Sequence, residues 1–284
     1  SRIKPKGVLA LSIYLKDFTL MRTGVVALGP LSKGFFSVGD CTFAQVLPLE
    51  RTRTTNTFYF FCGLDLYTDD DKRAVILYGD SITAQSWADY LALECMADPY
   101  NTTAIVRRAA SGTRVLREYN CITYESYGLS GHHRFEREIA SVSGADTVII
   151  QQGIHDIIHP VGTDVNPFRP MSDLPTVGEL EGGIEEYFST AAKYGLDVYI
   201  GTLLPIKGWR TYAPFRETLR ASFNDWARSL NDIKGCIDFD ELLRSPTDIS
   251  AFAEGYDSGD HLHPSDGAYR AMAKLAYEYI SGQR

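Results

Sequence analysis

The chain has 284 residues, a length that suits about two domains or one large one. Folding at that size can bury about three quarters of the open chain's surface, so the core needs no staples. Hydrophobic residues make up 44% and charged residues 23%, which excludes a disordered or low-complexity chain. The net charge of −8 argues against nucleic-acid and anionic-membrane partners, and no apolar run reaches the ~18 residues of a transmembrane helix.

The first 72 residues have the texture of a β-rich segment. Val8 to Leu15 and Thr57 to Tyr67 are apolar runs suited to strands, and Gly29-Pro30, Gly34 and Gly39-Asp40 supply turns between them. So few strands would leave open edges, so the expectation is a partial sandwich that begins part-way through a larger β domain. Asp69-Asp70-Asp71 reads as a polar connection.

From residue 73 the pattern alternates strand and helix. Strands are expected at Ala74–Tyr78, Thr103–Val106, Thr147–Ile150, Val198–Leu203 and Ile237–Phe239. Helices are expected at Trp87–Met96, Arg134–Val142 and Glu179–Tyr194, the last capped by Gly195. Phe215, Leu219, Phe223, Trp226 and Leu230 recur at steps of three or four and predict one apolar helix face. Met272, Leu275, Ala276, Tyr279 and Ile280 predict a final helix. The division is therefore 1–72 as a β-rich segment and 73–284 as an α/β domain with a five-stranded parallel sheet flanked by helices.

Ligands of such sheets sit beyond the carboxyl ends of the strands. Four polar, glycine-marked segments fall there: Gly79-Asp80-Ser81, Ser111-Gly112, Gly153-Ile154-His155-Asp156 and Asp260-His261-Leu262-His263. A serine hydroxyl needs a base to act as a nucleophile near neutral pH. His263 is the candidate base, with Asp260 three residues earlier to hold its other nitrogen. The competing reading makes Ser81 a helix N-cap and His263 a surface histidine.

YGDSIT (78–83), SG (111–112), GIHD (153–156) and DHLHP (260–264) resemble, in order, the four blocks of the SGNH hydrolase family, also called GDSL esterases. The stretch 258–273 is similar to the family's final block throughout, and the N-terminal segment resembles the end of the β-sandwich of bacterial two-domain members. The resemblance implies a nucleophile at Ser81, a base at His263 with Asp260 as its partner, and an oxyanion hole of the Ser81 and Gly112 N–H groups. The implied activity is hydrolysis of esters, often acyl groups on sugars or lipids, with no metal or other cofactor, and the expected substrate is a small-molecule or carbohydrate ester of a short acyl group such as acetyl.

The family places asparagine where this chain has His155. An imidazole with its proton on Nε2, or an imidazolium, could still donate to the oxyanion. The substitution also supports a rival reading, a weak or inactive carbohydrate-binding protein built on a degenerate hydrolase domain. Asp156 is expected to bond loop backbone. His155 and His159 have the spacing of a helical zinc pair, but Pro160 argues against one helical turn carrying both rings on one face. His132 and His133 are expected to face solvent. Trp209 is a candidate substrate contact that could stack on a sugar, or a packing residue, and Arg108 and Arg114 are candidates either to hold the loop of the second block or to contact an acidic substrate.

Five scattered cysteines without a CxxC pair favour a reducing compartment, hence a cytoplasmic location, with secretion after signal removal as the alternative. The sequence does not specify an oligomeric state.

Overall fold

The computed structural model describes residues 7–20, 24–68 and 72–282; the acidic connection at 69–71 lies outside them. The α/β region is built on β5 (Arg73–Gly79), whose residues from Ala74 onward are all buried. Its all-apolar run fits a central strand covered on both faces. The other strands are β6 (Thr103–Ala109), β7 (Ala145–Gln151), β8 (Asp197–Gly201) and β9 (Gly235–Ile237), all parallel, in the order β6-β5-β7-β8-β9. The order reverses between β5 and β7, and the crevice beyond that switch point is where such sheets bind ligands.

Helix α1 (Trp87–Ala97) packs against α7 (Asp266–Ile280), while α2 (Gly131–Ala140), α4 (Val177–Lys193) and α5 (Pro214–Ser229) follow one another in a row. Two short helices, α3 (Ile154–Ile158) and α6 (Phe239–Leu243), follow β7 and β9 directly. Thr176 caps α4 through a capping box with Glu179, and Ser265 caps α7 by accepting from the Ala268 N–H. The core is continuous from Tyr78, edge-on to Phe135 and Tyr187, through Ile149 to Phe239, which meets Trp87.

Two expectations shift. Ile237 ends β9, and Asp238 turns the chain by accepting the Glu241 N–H, so Phe239 opens a helix rather than closing a strand. In α5 the inward stripe is Arg216, Arg220, Phe223, Asn224 and Ala227, and Phe215 is 48% exposed. Polar groups occupy that stripe because they serve the end of β8: Asn224 brackets the Leu203 backbone at both N–H and C=O. Arg220 bonds the same carbonyl and Asp240. Periodicity counts apolar side chains and is blind to such a stripe.

The N-terminal segment has two antiparallel two-stranded sheets. β1 (Val25–Val26) pairs with β4 (Thr57–Phe58), and β2 (Gly34–Ser37) pairs with β3 (Thr52–Thr55). The runs at 8–15 and 59–67 form no strand. The segment meets the α/β region through polar contacts. The Leu31 N–H and Ser32 hydroxyl donate to the Asp89 carboxylate of α1, which also pairs with Arg107 of β6 at 2.6 Å. The Leu28 N–H donates to the Ala84 carbonyl.

Candidate active site

Ser81 stands two residues beyond β5, in a turn that precedes α1. It does not cap that helix: Ser86 occupies the N-cap position, and the Ser81 Oγ lies 2.8 Å from His263 Nε2. The buried Asp80 fixes the turn by accepting the Ile82 N–H at 2.9 Å. Ser81 itself is 8% exposed.

His263 reaches the serine because the loop before α7 is tied from several sides. The Ser258 N–H bonds the His263 carbonyl, the Ser265 N–H bonds the Tyr256 carbonyl, and Leu262 is buried beneath the turn. Asp260 has two tasks. Its Oδ1 accepts the Leu262 and His263 N–H groups, and its Oδ2 lies 2.6 Å from His263 Nδ1. Burial pushes the Asp260 carboxyl up, but the hydrogen bonds from the His263 ring and from these two N–H groups outweigh it and bring it down to about 2. The carboxylate is therefore ionised at any working pH and holds the proton on Nδ1, leaving the Nε2 lone pair toward Ser81. In the same loop His261 takes a left-handed backbone (φ 63°), with its ring packed on Gly208 and paired to Asp257 at 2.5 Å.

The second-block loop follows β6. Gly112 has φ 77°, and a Cβ there would lie 2.5 Å from the Tyr127 ring, so conformation and close approach both require glycine. Asp156 holds this loop from beneath. Its carboxylate accepts the Val115 and Leu116 N–H groups at 2.7 and 3.0 Å, and burial pushes its carboxyl up against the pull of those bonds. Arg114 bonds the Arg117 and Glu118 carbonyls and Asp173, which matches the expected loop-holding part. The Ser81 and Gly112 N–H groups donate to no acceptor among the described residues, in contrast to the neighbouring Ile82 and Thr113 N–H groups.

His155 lies on α3, buried, with Nδ1 3.2 Å from Asp80 Oδ2. That carboxylate favours a proton on Nδ1, so the neutral ring carries a lone pair at Nε2 and only the imidazolium donates there. Of the two donating forms expected from the sequence, Asp80 thus disfavours the neutral one. α3 also overturns the expectation about Pro160. The proline follows the helix end at His159, and the His155 and His159 rings share one face with centroids 4.6 Å apart. His159 Nδ1 lies 3.0 Å from the Tyr119 hydroxyl, and burial holds its basicity far below that of an ordinary histidine. Among the described residues no three His, Cys, Asp or Glu side chains form a metal-holding group.

The other expected substrate contacts have partners of their own. Arg108 bonds the Cys62 carbonyl and the Ser141 hydroxyl beyond α2. Trp209 packs against the core, and one face of its ring carries the Arg210 guanidinium at 4.5 Å. His133 faces solvent as expected, but His132 packs edge-on to Tyr187 between α2 and α4. A cavity of ≈ 510 Å³ beside Asp197 and Lys234 opens at the opposite, amino edge of the sheet and contains none of these residues.

Two groups of residues escaped the sequence reading: Asp80 as the partner of His155, and a tyrosine wall of Tyr119, Tyr124 and Tyr127 around His159. The density of tyrosine in 119–127 was the available signal.

A 2-1-3-4-5 parallel sheet with a serine, histidine and aspartate joined beyond its carboxyl edge defines the SGNH class of hydrolases. The family model for GDSL-like lipase/acylhydrolase matches residues 75–276, and the chain belongs to that family. It is a carboxylic ester hydrolase of the GDSL type. Solved structures agree on the fold. The lipase/acylhydrolase from Enterococcus faecalis has 18% identity and a TM-score of 0.55 over 74% of this chain and 96% of that one. An acetylxylan esterase from Geobacillus stearothermophilus has 16% identity and a TM-score of 0.51 over 73% and 94%. The aryl esterase of M. smegmatis has 13% identity and a TM-score of 0.53 over 74% and 99%. No curated protein sequence matches the chain. No helix among the described residues is long and apolar enough to cross a membrane.

Proposed function

We propose that the unit spanning 73–284 hydrolyses short acyl esters through a covalent Ser81 intermediate. The observation that carries the reading is the unbroken chain from Ser81 Oγ to His263 Nε2 (2.8 Å) and from His263 Nδ1 to Asp260 (2.6 Å). His263 takes the Ser81 proton as Oγ bonds to the ester carbonyl carbon, and Asp260 stabilises the imidazolium so formed. The Ser81 and Gly112 N–H groups, free of other acceptors among the described residues, receive the developing oxyanion, with His155 as the third donor when its Nε2 carries a proton. Collapse expels the alcohol, which takes its proton from His263. Water then gives a proton to His263 and attacks the acyl-serine, releasing the acid and restoring Ser81.

The fold shared with an acetylxylan esterase supports acetyl groups on carbohydrate as the substrate class. The hydrogen-bonded chain of Ser81, His263 and Asp260 favours turnover over binding without cleavage. Hydrolysis of 4-nitrophenyl acetate by wild type, Ser81→Ala and His263→Ala tests this, with a fall of about 10³-fold or more expected in each variant. Turnover that survives Ser81→Ala would remove the serine from the mechanism.

A further inference from the structure

Five arginines are buried among the described residues: Arg114, Arg134, Arg169, Arg216 and Arg220. Four spend their guanidinium on protein acceptors. Arg114 has Asp173, Arg134 has Glu138 and the Gly79 carbonyl, Arg220 has Glu217 and Asp240, and Arg216 has the Ile157 and Pro160 carbonyls. Arg169 is the exception. It is 8% exposed, its Nε is buried without an acceptor, and no carboxylate or carbonyl of the described residues hydrogen-bonds its guanidinium. A largely buried cation without a counter-charge is costly.

Its position is built. The guanidinium stacks on Tyr124 at 4.4 Å and lies 5.8 Å from the Tyr119 ring centroid. Its own loop is pinned by Asn166, whose amide donates to the Tyr124 hydroxyl at 2.7 Å. Asp173, four residues further along the chain, is paired with Arg114 and Arg117. The tyrosines connect it to the reaction centre: Tyr119 bonds His159, Tyr127 stacks on His159 and covers Gly112, and His159 touches His155. Arg210 is exposed, with its guanidinium over the Trp209 ring.

We infer that Arg169, on its tyrosine platform, is a specificity residue that binds an anionic group, carboxylate or phosphate, on the ester substrate at a point remote from the scissile bond. The arginine fork matches either oxyanion, and the half-buried tyrosines exclude enough water to strengthen the pairing. The inference deepens the esterase reading and rests on it for the identity of the ligand.

Three anionic esters, each compared with a neutral partner of similar size, test it. Acetoxybenzoate against its methyl ester places a carboxylate on the alcohol part. Acetoxyphenyl phosphate against the same methyl ester replaces it with phosphate. The 4-nitrophenyl monoester of succinate against 4-nitrophenyl pentanoate places the carboxylate on the acyl part. At least one anionic ester is expected to exceed its neutral partner in kcat/KM by about 10- to 100-fold, the range of a hydrogen bond to a charged group. Arg169→Met should collapse that ratio to about one, and Arg169→Lys should restore part of it. Neutral esters turned over equally well, or a preference that survives Arg169→Met, would overturn the inference. Calorimetric binding of 4-hydroxybenzoate and 4-hydroxyphenyl phosphate to wild type and Arg169→Met reads the site without turnover. Arg169-dependent binding in a protein with no serine-dependent hydrolysis would contradict the esterase reading alone.

Discussion

The two parts of this chain handle apolar residues in opposite ways. In the α/β region Leu77, Ile149 and Phe239 are wholly buried, whereas in the N-terminal segment Val8, Phe18 and Phe43 are more than nine-tenths exposed. Both parts contain runs that suit strands, so β propensity does not separate them. The α/β sheet has helices on both faces to bury its side chains, while the N-terminal ribbons have two strands each among the described residues. Burial gives the first region the rigidity to hold a histidine 2.8 Å from a serine 182 positions away. The second region is attached by polar contacts at Asp89 and Ala84.

Paired substitutions sharpen this contrast most strongly. Leu77→Ala should cost about 2–5 kcal/mol of stability through the lost burial and the cavity left behind, and Phe43→Ala within about 0.5 kcal/mol. Urea unfolding of both variants checks this, and equal losses would break the comparison. At the junction, Asp89→Ala should cost about 2–4 kcal/mol, because it leaves Arg107 largely buried without its partner and frees the Leu31 N–H. Proteolysis within residues 24–68 should accelerate in that variant, measured by the rate of nicking.

A smaller effect follows pH. The folded protein holds His159 well below its ordinary value of 6.5, so below that pH the unfolded chain binds a proton that the folded chain does not. Stability therefore falls as pH drops through this range, by up to about 1.4 kcal/mol per unit. Denaturation midpoints of wild type and His159→Gln between pH 7 and 5 should converge as the pH falls. The smallest change is expected at the third oxyanion donor. His155→Asn supplies an amide that donates without protonation, so 4-nitrophenyl acetate turnover should stay at wild-type level or rise. A hundredfold fall would show that the imidazole has a part of its own.

Much of the α/β region was legible because its signals are local. All-apolar runs such as Ala74–Tyr78 mark strands covered on both faces, and the four loops beyond the strands lie at the edge where ligands bind. Serine, aspartate and histidine could be paired on chemistry and motif before any distance was known. What stayed hidden depends on contacts between distant positions. Asp80 selects the proton-bearing nitrogen of His155 across 75 positions, and Arg169 finds tyrosines 45 and 50 residues away. The buried polar stripe of α5 escaped for the same reason, since Arg220 and Asn224 read as surface residues until the end of β8 lies against them. In the N-terminal segment, apolar runs predicted strands that require partners, and the runs at 8–15 and 59–67 have none.

The central claim is that Ser81 is the nucleophile activated by His263. Treating the protein with a serine-directed fluorophosphonate and mapping the adduct by mass spectrometry tests it directly. One equivalent of label on Ser81, lost in Ser81→Ala and strongly slowed in His263→Ala, is the predicted result. A folded protein that takes no label, or takes it equally well in Ser81→Ala, would contradict the account.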